Sequence, residues 1–516
     1  VCATRLEGQP ITEATPRRSW GRASGWLLPG VLLAIGLAAR LTHLSLPFPS
    51  DQLNYLTAAD AFPSPVDNAT ETHQITRFGL VVPLKLTTLL FGYSEAAYHA
   101  FALVAFSALL LSTYALGTLL FSRVVGAAAA LTVVAVTPVF TESSDPLPDI
   151  PATALITAAL ALAVAIRRRR VRTSPWTLTL LGVLLAWSAM AREFTVFIWP
   201  LVPVLVFPRT RWRGLAWVAL PVAVLGLTEL FLCWALYDDP LARVKAVLGH
   251  GGAPSPPDIA STYRDKPRRL YIERLPKGLA AYPEGRWLLG LLTLTALGTV
   301  LWWRRLVVLA AWFALLYVPL VLLGGVLDPS APKLRLQLIR YWFPIFPAFV
   351  LGGLGALWLA ATLASARLPT RLPKRAAIPP VLVAGFAAIT IGLAAHGWWD
   401  GPRATQLSAF RSWMTTHGQS VPQVWSDRRT HRILEVYKND AFGGTAWTAR
   451  LRSPRPGGDG PSHGDIVVFY DTGRGDLCGV CRAAAREAWG DPLRPAPTWR
   501  QVFTTRDGLL RAYQVP

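Results

Sequence analysis

The sequence predicts a polytopic α-helical membrane protein of about eleven transmembrane helices, with a small α/β domain at its C-terminal end. Three observations lead there. Apolar runs recur along most of the 516 residues, which are 52% hydrophobic, and a helix needs roughly 20 apolar residues to cross the bilayer core. Arginine clusters punctuate those runs at every second gap. Beyond His396 the hydropathy falls and the pattern becomes that of a soluble domain.

The expected spans are 25–44, 96–121, 124–140, 150–166, 175–191, 194–207, 215–237, 287–303, 306–327, 341–366 and 378–395. Residues 79–91 are apolar but too short, and read as an interfacial or re-entrant helix on the outer side. Arg17, Arg18 and Arg22 precede the first span, and Arg123 follows the second. Arg167, Arg168, Arg169, Arg170 and Arg172 follow the fourth, and Arg209, Arg211 and Arg213 the sixth. Arg304 and Arg305 follow the eighth, and Arg367, Arg371, Lys374 and Arg375 the tenth. Short loops rich in Lys and Arg stay cytoplasmic. The expected topology therefore has odd helices leading out of the cytoplasm across the cell membrane. Residues 1–24 form a cytoplasmic segment, 25–396 the transmembrane domain with its outer loops, and 397–516 an extracytoplasmic α/β domain. In that tail a helix is expected over 405–414 and strands over 421–425, 465–470 and 509–515, separated by Gly/Pro-rich joins such as 453–460.

A soluble chain with a formal net charge of +21 would point to nucleic acid. Here much of the excess lies in short inner loops, where topology and anionic lipid headgroups account for it. No basic stripe with interleaved aromatics appears. Membrane lipids, and not nucleic acid, are the expected partners of that charge.

Two acidic outer loops carry the candidate chemistry. One is Pro49-Ser50-Asp51-Gln52-Leu53-Asn54-Tyr55, after the first span; the other runs from Glu142 through Asp145 to Asp149, before the fourth. Carboxylates gathered at a membrane surface can accept a proton from an attacking hydroxyl or hold a divalent cation beside a phosphate. Acids in loops are also commonly just solvated, and Asp before Pro often starts a turn.

The order of these residues resembles the GT-C superfamily of integral membrane glycosyltransferases, in particular its protein mannosyltransferase and lipid A aminoarabinose transferase branches. Asp51 with Tyr55 four residues on, and Arg40 at the helix end, match the pattern after the first helix. Asp149-Ile150-Pro151-Ala152-Thr153-Ala154 matches an Asp-x-Pro that opens the fourth. Arg340-Tyr341-Trp342-Phe343-Pro344-Ile345-Phe346-Pro347 is similar to a later Arg-Tyr before a Pro-containing helix. The resemblance covers residues 40–395 in layout. It implies a sugar donor on a polyprenyl phosphate, used on the outer face toward a glycan, glycolipid or protein acceptor; displacement without a covalent enzyme intermediate then predicts inversion at the anomeric carbon. Asp51 and Asp149 are then the catalytic pair. Asp51, Asp145 and Asp149 would be the ligands of a divalent cation, Mg or Mn. Gln52 stands where members often carry a second acid, which leaves one oxygen ligand fewer.

A lipid phosphate needs cations where apolar helices meet water. Arg340 with Tyr341 sits at such a point, and Arg77, His73, Lys85 and Arg192 are further candidates; snorkelling of Arg stems is the plain alternative. Tyr55 and Glu229 are expected at the donor cavity. Glu229, inside the seventh span, either lines that cavity or pairs with a polar neighbour. Cys478 and Cys481, spaced Cys-Gly-Val-Cys, lack two further zinc ligands and are read as a local disulfide. Two other functions stay open: a lipid or polysaccharide transporter or flippase, which would put polar groups near the midplane, and a scaffold whose tail binds partners.

Overall fold

The computed structural model describes residues 24–47, 50–65, 72–250, 262–369, 375–399, 405–439, 444–454, 459–471, 479–490 and 493–516. Its first half contains α1 (Ser24–Leu41), α2 (Asp51–Ala61), α3 (Thr72–Ile75), α4 (Phe78–Phe91), α5 (Glu95–Leu120) and α6 (Arg123–Ala135). These are followed by α7 (Thr137–Glu142), α8 (Asp149–Arg167), α9 (Pro175–Ala191), α10 (Leu201–Tyr237) and α11 (Ala242–His250). The longer helices beyond them are α12 (Gly285–Leu301), α13 (Trp303–Val321), α14 (Phe346–Arg367) and α15 (Ile378–Gly397). Among the described residues six helices are long and apolar enough to cross a membrane, and five shorter ones are apolar. The molecule is a multi-pass helical membrane protein.

Local chemistry starts several of these helices. The hydroxyls of Ser94, Ser122 and Ser174 accept hydrogen bonds from the N–H groups of Ala97, Val125 and Thr177, capping α5, α6 and α9. Between α5 and α6 a Cβ on Gly117 would stand 2.6 Å from the Gly126 Cα. Close approach of these two backbones therefore requires glycine, as is usual where helices meet without a hydrophobic drive between them. The two spans expected over 194–207 and 215–237 form α10, broken at Arg211, whose φ of 52° is left-handed. The first of them begins later than expected. Glu193–Ile198 is a 3-10 turn instead, because Glu193 is held there by arginines described below.

The short apolar stretch forms α4, whose Phe78, Leu80, Val81 and Leu84 are buried while Leu86, Leu89 and Leu90 are exposed. The arginine clusters meet at one end of the bundle. Arg209 Nε donates to the Arg167 carbonyl at 3.2 Å, Arg168 donates to the carbonyls of Leu119 and Leu120, and Arg305 lies close enough to act on Arg168. Asp149 opens α8 and Arg167 closes it; at about 1.5 Å per residue the two ends stand roughly 27 Å apart. The acidic loops thus occupy the opposite end.

The C-terminal region contains α16 (Thr405–His417), β1 (Gln423–Trp425), α17 (Arg428–Lys438), β2 (Arg450–Arg452), β3 (Ile466–Tyr470), α18 (Gly479–Trp489), β4 (Arg500–Thr504) and β5 (Leu510–Gln514). The sheet order is β2-β1-β3-β5-β4, parallel from β2 to β3 and antiparallel through β5 and β4. The three strands expected from sequence are the inner ones. The two edge strands are not legible in the sequence, because Arg450–Arg452 and Arg500–Thr504 carry too little apolar alternation to announce themselves. One hydrophobic cluster joins this region to the bundle: Phe410, Val424, Ile433 and Val468 pack in continuity with Leu53, Leu56, Leu80 and Tyr98. Tyr437 donates to the Pro47 carbonyl at 2.9 Å, and Asn439 to the Tyr93 carbonyl at 2.8 Å. The expected Cys478–Cys481 bridge lies outside the described residues, as far as Cys478 and the Cys481 side chain are concerned.

Candidate active site

Two carboxylates from distant parts of the chain begin helices at the acidic end. Asp51 is the first residue of α2 and Asp149 the first of α8, positions where the helix dipole favours negative charge. Both line one small polar hollow of about 20 Å³ with Tyr55, Arg77, Leu147, Pro148, Arg192, Arg340 and Tyr341. That space holds hardly more than a water molecule. Three guanidinium groups face the two acids. Arg340 Nη2 is 2.8 Å from Asp51 Oδ2, and Arg192 Nε is 3.1 Å from Asp149 Oδ1. Arg77 donates to the Tyr55 hydroxyl at 2.5 Å and to Glu193 at 3.2 Å.

The two pairs differ in kind. The Asp51 side chain is 36% exposed, whereas that of Asp149 is 1% exposed and that of Arg192 4%. The Asp149–Arg192 contact is close, yet neither Asp149 oxygen receives an aligned hydrogen bond. It is an ion pair with acceptor capacity to spare. The Arg192 guanidinium also lies over the Tyr341 ring at 4.4 Å and the Phe194 ring at 5.0 Å, a stacking geometry that holds a planar cation in place.

Electrostatics keep Arg77 charged. Burial works against Arg77, but Glu193 and Tyr55 outweigh it and hold its pKa above the ordinary value. Burial would raise Glu193, yet Arg77, Arg192 and Arg243 hold it down at about 2. The Tyr55 phenol is pushed up by burial, with Arg77 opposing. Glu142, near Arg340 and Asp149, is pushed up to about 8 by burial, and its Oε2 is sealed without a hydrogen-bond donor.

No family model matches the sequence, and no curated protein matches it. Solved structures do. ArnT from Cupriavidus metallidurans in the apo state superposes with a TM-score of 0.55 at 12% identity, over 96% of this chain and 98% of that one. The chain has the GT-C fold. The same protein bound to undecaprenyl phosphate gives a TM-score of 0.55 at 12% identity, over 95% of this chain and 98% of that one. The archaeal oligosaccharyltransferase AglB from Archaeoglobus fulgidus, in complex with an inhibitory peptide and a dolichol-phosphate, overlaps at 0.48 and 12% identity, over 81% of this chain and 64% of that one. At such identity the likeness is one of fold.

Within this GT-C fold the remaining expected residues fall in different places. Asp145 turns to its own partners: Ser45 Oγ at 2.7 Å, Gln52 Nε2 at 3.2 Å and the Tyr98 hydroxyl at 3.2 Å. Asp51, Asp145 and Asp149 are not assembled as a ligand set, and among the described residues no three His, Cys, Asp or Glu side chains gather as a metal site would need. With a guanidinium already on Asp51 and another on Asp149, these donors do not fit a divalent cation. Lys85 donates to the Asp60 carbonyl at 2.6 Å, away from the hollow. His73 lies in α3, and its side chain is outside the described residues.

Glu229 has both a polar neighbour and a cavity beside it. It pairs with Arg243, and with Glu193 and Arg243 it lines a cavity of about 380 Å³ between α9, α10 and α11, otherwise mostly apolar and including Val196, Val222, Gly226 and Val247. Glu193 connects the two spaces, since it also receives Arg77. Sequence reasoning missed Glu193 and Arg243 as site residues. Glu193 had a signal in the tight Arg192–Glu193 turn between two apolar runs; Arg243, on a short amphipathic helix, had none.

Proposed function

We propose that this protein is a glycosyltransferase that moves a sugar from a polyprenyl-phosphate donor to an acceptor hydroxyl at the outer face of the membrane. The observation that carries this reading is the hollow in which Asp51 and Asp149 meet three arginines, next to an apolar cavity among membrane-spanning helices. A donor with an anionic head and a long apolar chain needs that pairing of surroundings. ArnT, which has the same fold, has been solved with undecaprenyl phosphate bound. The arginine-rich loops lie at the other end of the bundle, which by the positive-inside rule is cytoplasmic. The C-terminal α/β domain is then extracytoplasmic.

Asp51, the more exposed acid, is placed to meet an acceptor arriving from water. Its carboxylate takes the proton of the acceptor hydroxyl while that oxygen bonds to the anomeric carbon. The bond from that carbon to the phosphate oxygen breaks, and polyprenyl phosphate leaves with the electron pair. Arg340, Arg192 and Arg77 face the charge that develops on it. A single displacement inverts the anomeric centre. Asp149, sealed against Arg192, holds that guanidinium toward the hollow. The sugar is a hexose or pentose, and the acceptor a glycan, glycolipid or exported protein. A transporter would place its charges near the bilayer midplane; here the Asp51 and Asp149 ion pairs lie at the end opposite the arginine loops.

Transfer is measured in membranes from a panel of prenyl-phosphate sugars. Asp51→Asn should lower turnover by at least roughly 100-fold with expression unchanged. Undiminished turnover removes Asp51 from the mechanism.

A further inference from the structure

The C-terminal region touches the bundle through more than apolar packing. Arg432, on α17, donates from Nη2 to Asn54 Oδ1 at 3.1 Å and from Nη1 to Thr57 Oγ1 at 3.4 Å. Asn54 Nδ2 donates to Gln74 Oε1 at 2.6 Å. Gln74 Nε2 donates to Asp51 Oδ1 at 2.9 Å. Asn54 and Gln74 are 4% and 1% exposed, so water does not compete for either amide.

The direction of this chain is not arbitrary. A guanidinium has no acceptor, so Asn54 must turn its oxygen toward Arg432. Its NH₂ then faces Gln74, which must present its own oxygen and send its NH₂ to Asp51. One cation on the C-terminal domain thereby sets the orientation of two amides and ends on the carboxylate that faces the hollow. Donors aligned head to tail in a dry setting polarise one another. The other Asp51 oxygen is occupied by Arg340, so the two contacts together define the plane and rotation of the carboxyl group.

We propose that Arg432 is a positioning residue, acting through Asn54 and Gln74 to orient Asp51, so that the C-terminal domain completes the catalytic centre. The proposal rests on the glycosyltransferase reading given above. Arg432 touches neither donor nor acceptor; it acts on the angle at which Asp51 meets the hydroxyl. Small misplacements of a reacting group cost about 100-fold.

The experiment compares Arg432→Met, Arg432→Lys and Gln74→Leu with Asn439→Ala. Asn439 also ties the C-terminal region to the bundle, through the Tyr93 carbonyl, but lies off the chain of amides. Arg432→Met should lower kcat roughly 10- to 100-fold with little change in the donor KM. Arg432→Lys should recover part of the loss, and Asn439→Ala should stay near wild type. Combining Arg432→Met with Gln74→Leu should cost no more than the worse single change, since both cut the same chain. A second readout does not depend on turnover: carbodiimide modification of Asp51, followed by mass spectrometry, should be faster in Arg432→Met than in wild type or Asn439→Ala. Additive losses, or an equal loss in Asn439→Ala, would overturn the relay and leave only a docking contact. Absence of transfer by the wild type overturns the functional reading instead, and the carbodiimide rates then decide the relay alone.

Discussion

Asp51, Asp149 and Glu142 are three acids at the same end of the bundle with three different surroundings. Asp51 is open, and Arg340 and Gln74 both hold it. Asp149 is sealed against a cation. Glu142 is the acid that burial, its largest influence, pushes up to about 8. Its linkage has a definite sign. A carboxyl whose folded-state pKa is raised above the ordinary value of 4.5 contributes stability that is fully present below that value. The contribution is lost as pH rises through about 8, because the folded state must then ionise a sealed group. The expected outcome is that wild-type protein in detergent melts lower at pH 8.5 than at pH 5. Glu142→Gln should narrow that difference, measured as melting temperature across the two pH values. A gap of the same size in the variant would mean that Glu142 is ionised without cost.

Helices supply the rigidity that these side chains need. α2 and α8 each begin on the acid that faces the hollow, so backbone position and charge preference agree at both. One turn into α2, Asn54 and Tyr55 take up neighbouring partners, Gln74 and Arg77. A helix start thus orders contacts to several distant parts of the chain. α10 borders the apolar cavity, and Gly226 on it faces open space: nothing lies within 4 Å of where a Cβ would stand. Gly226→Phe should therefore fold and fill part of the cavity. Under the proposed function it should raise the KM for a long prenyl-phosphate donor several-fold and leave a short-chain donor nearly unaffected. Equal KM values for both donors in the variant would mean that the prenyl chain lies elsewhere.

At the scale of the whole molecule the bundle is polarised, with arginine loops at one end and paired acids at the other. On a background with Cys2, Cys233, Cys478 and Cys481 replaced by Ser, an impermeant maleimide should label Thr416→Cys in intact cells. Arg304→Cys should label only after the membrane is opened; the reverse pattern would invert the proposed topology. Hydropathy and arginine spacing determined from sequence alone that the chain is a helical membrane bundle with a small C-terminal α/β region, because bilayer thickness and loop charge act on local stretches. A resemblance in motif order singles out Asp51, Asp149 and Arg340, which line one hollow. Which charges pair was decided by tertiary structure. Arg192 meets Asp149 while Asp145 turns to Ser45 and Gln52, since burial forces each group to whichever partner the packed helices bring near. The edge strands β2 and β4 needed a neighbouring strand to form at all. The contact of Arg432 with Asn54, which leads on to Asp51, joins residues 378 positions apart, and no local pattern encodes a contact that only folding creates.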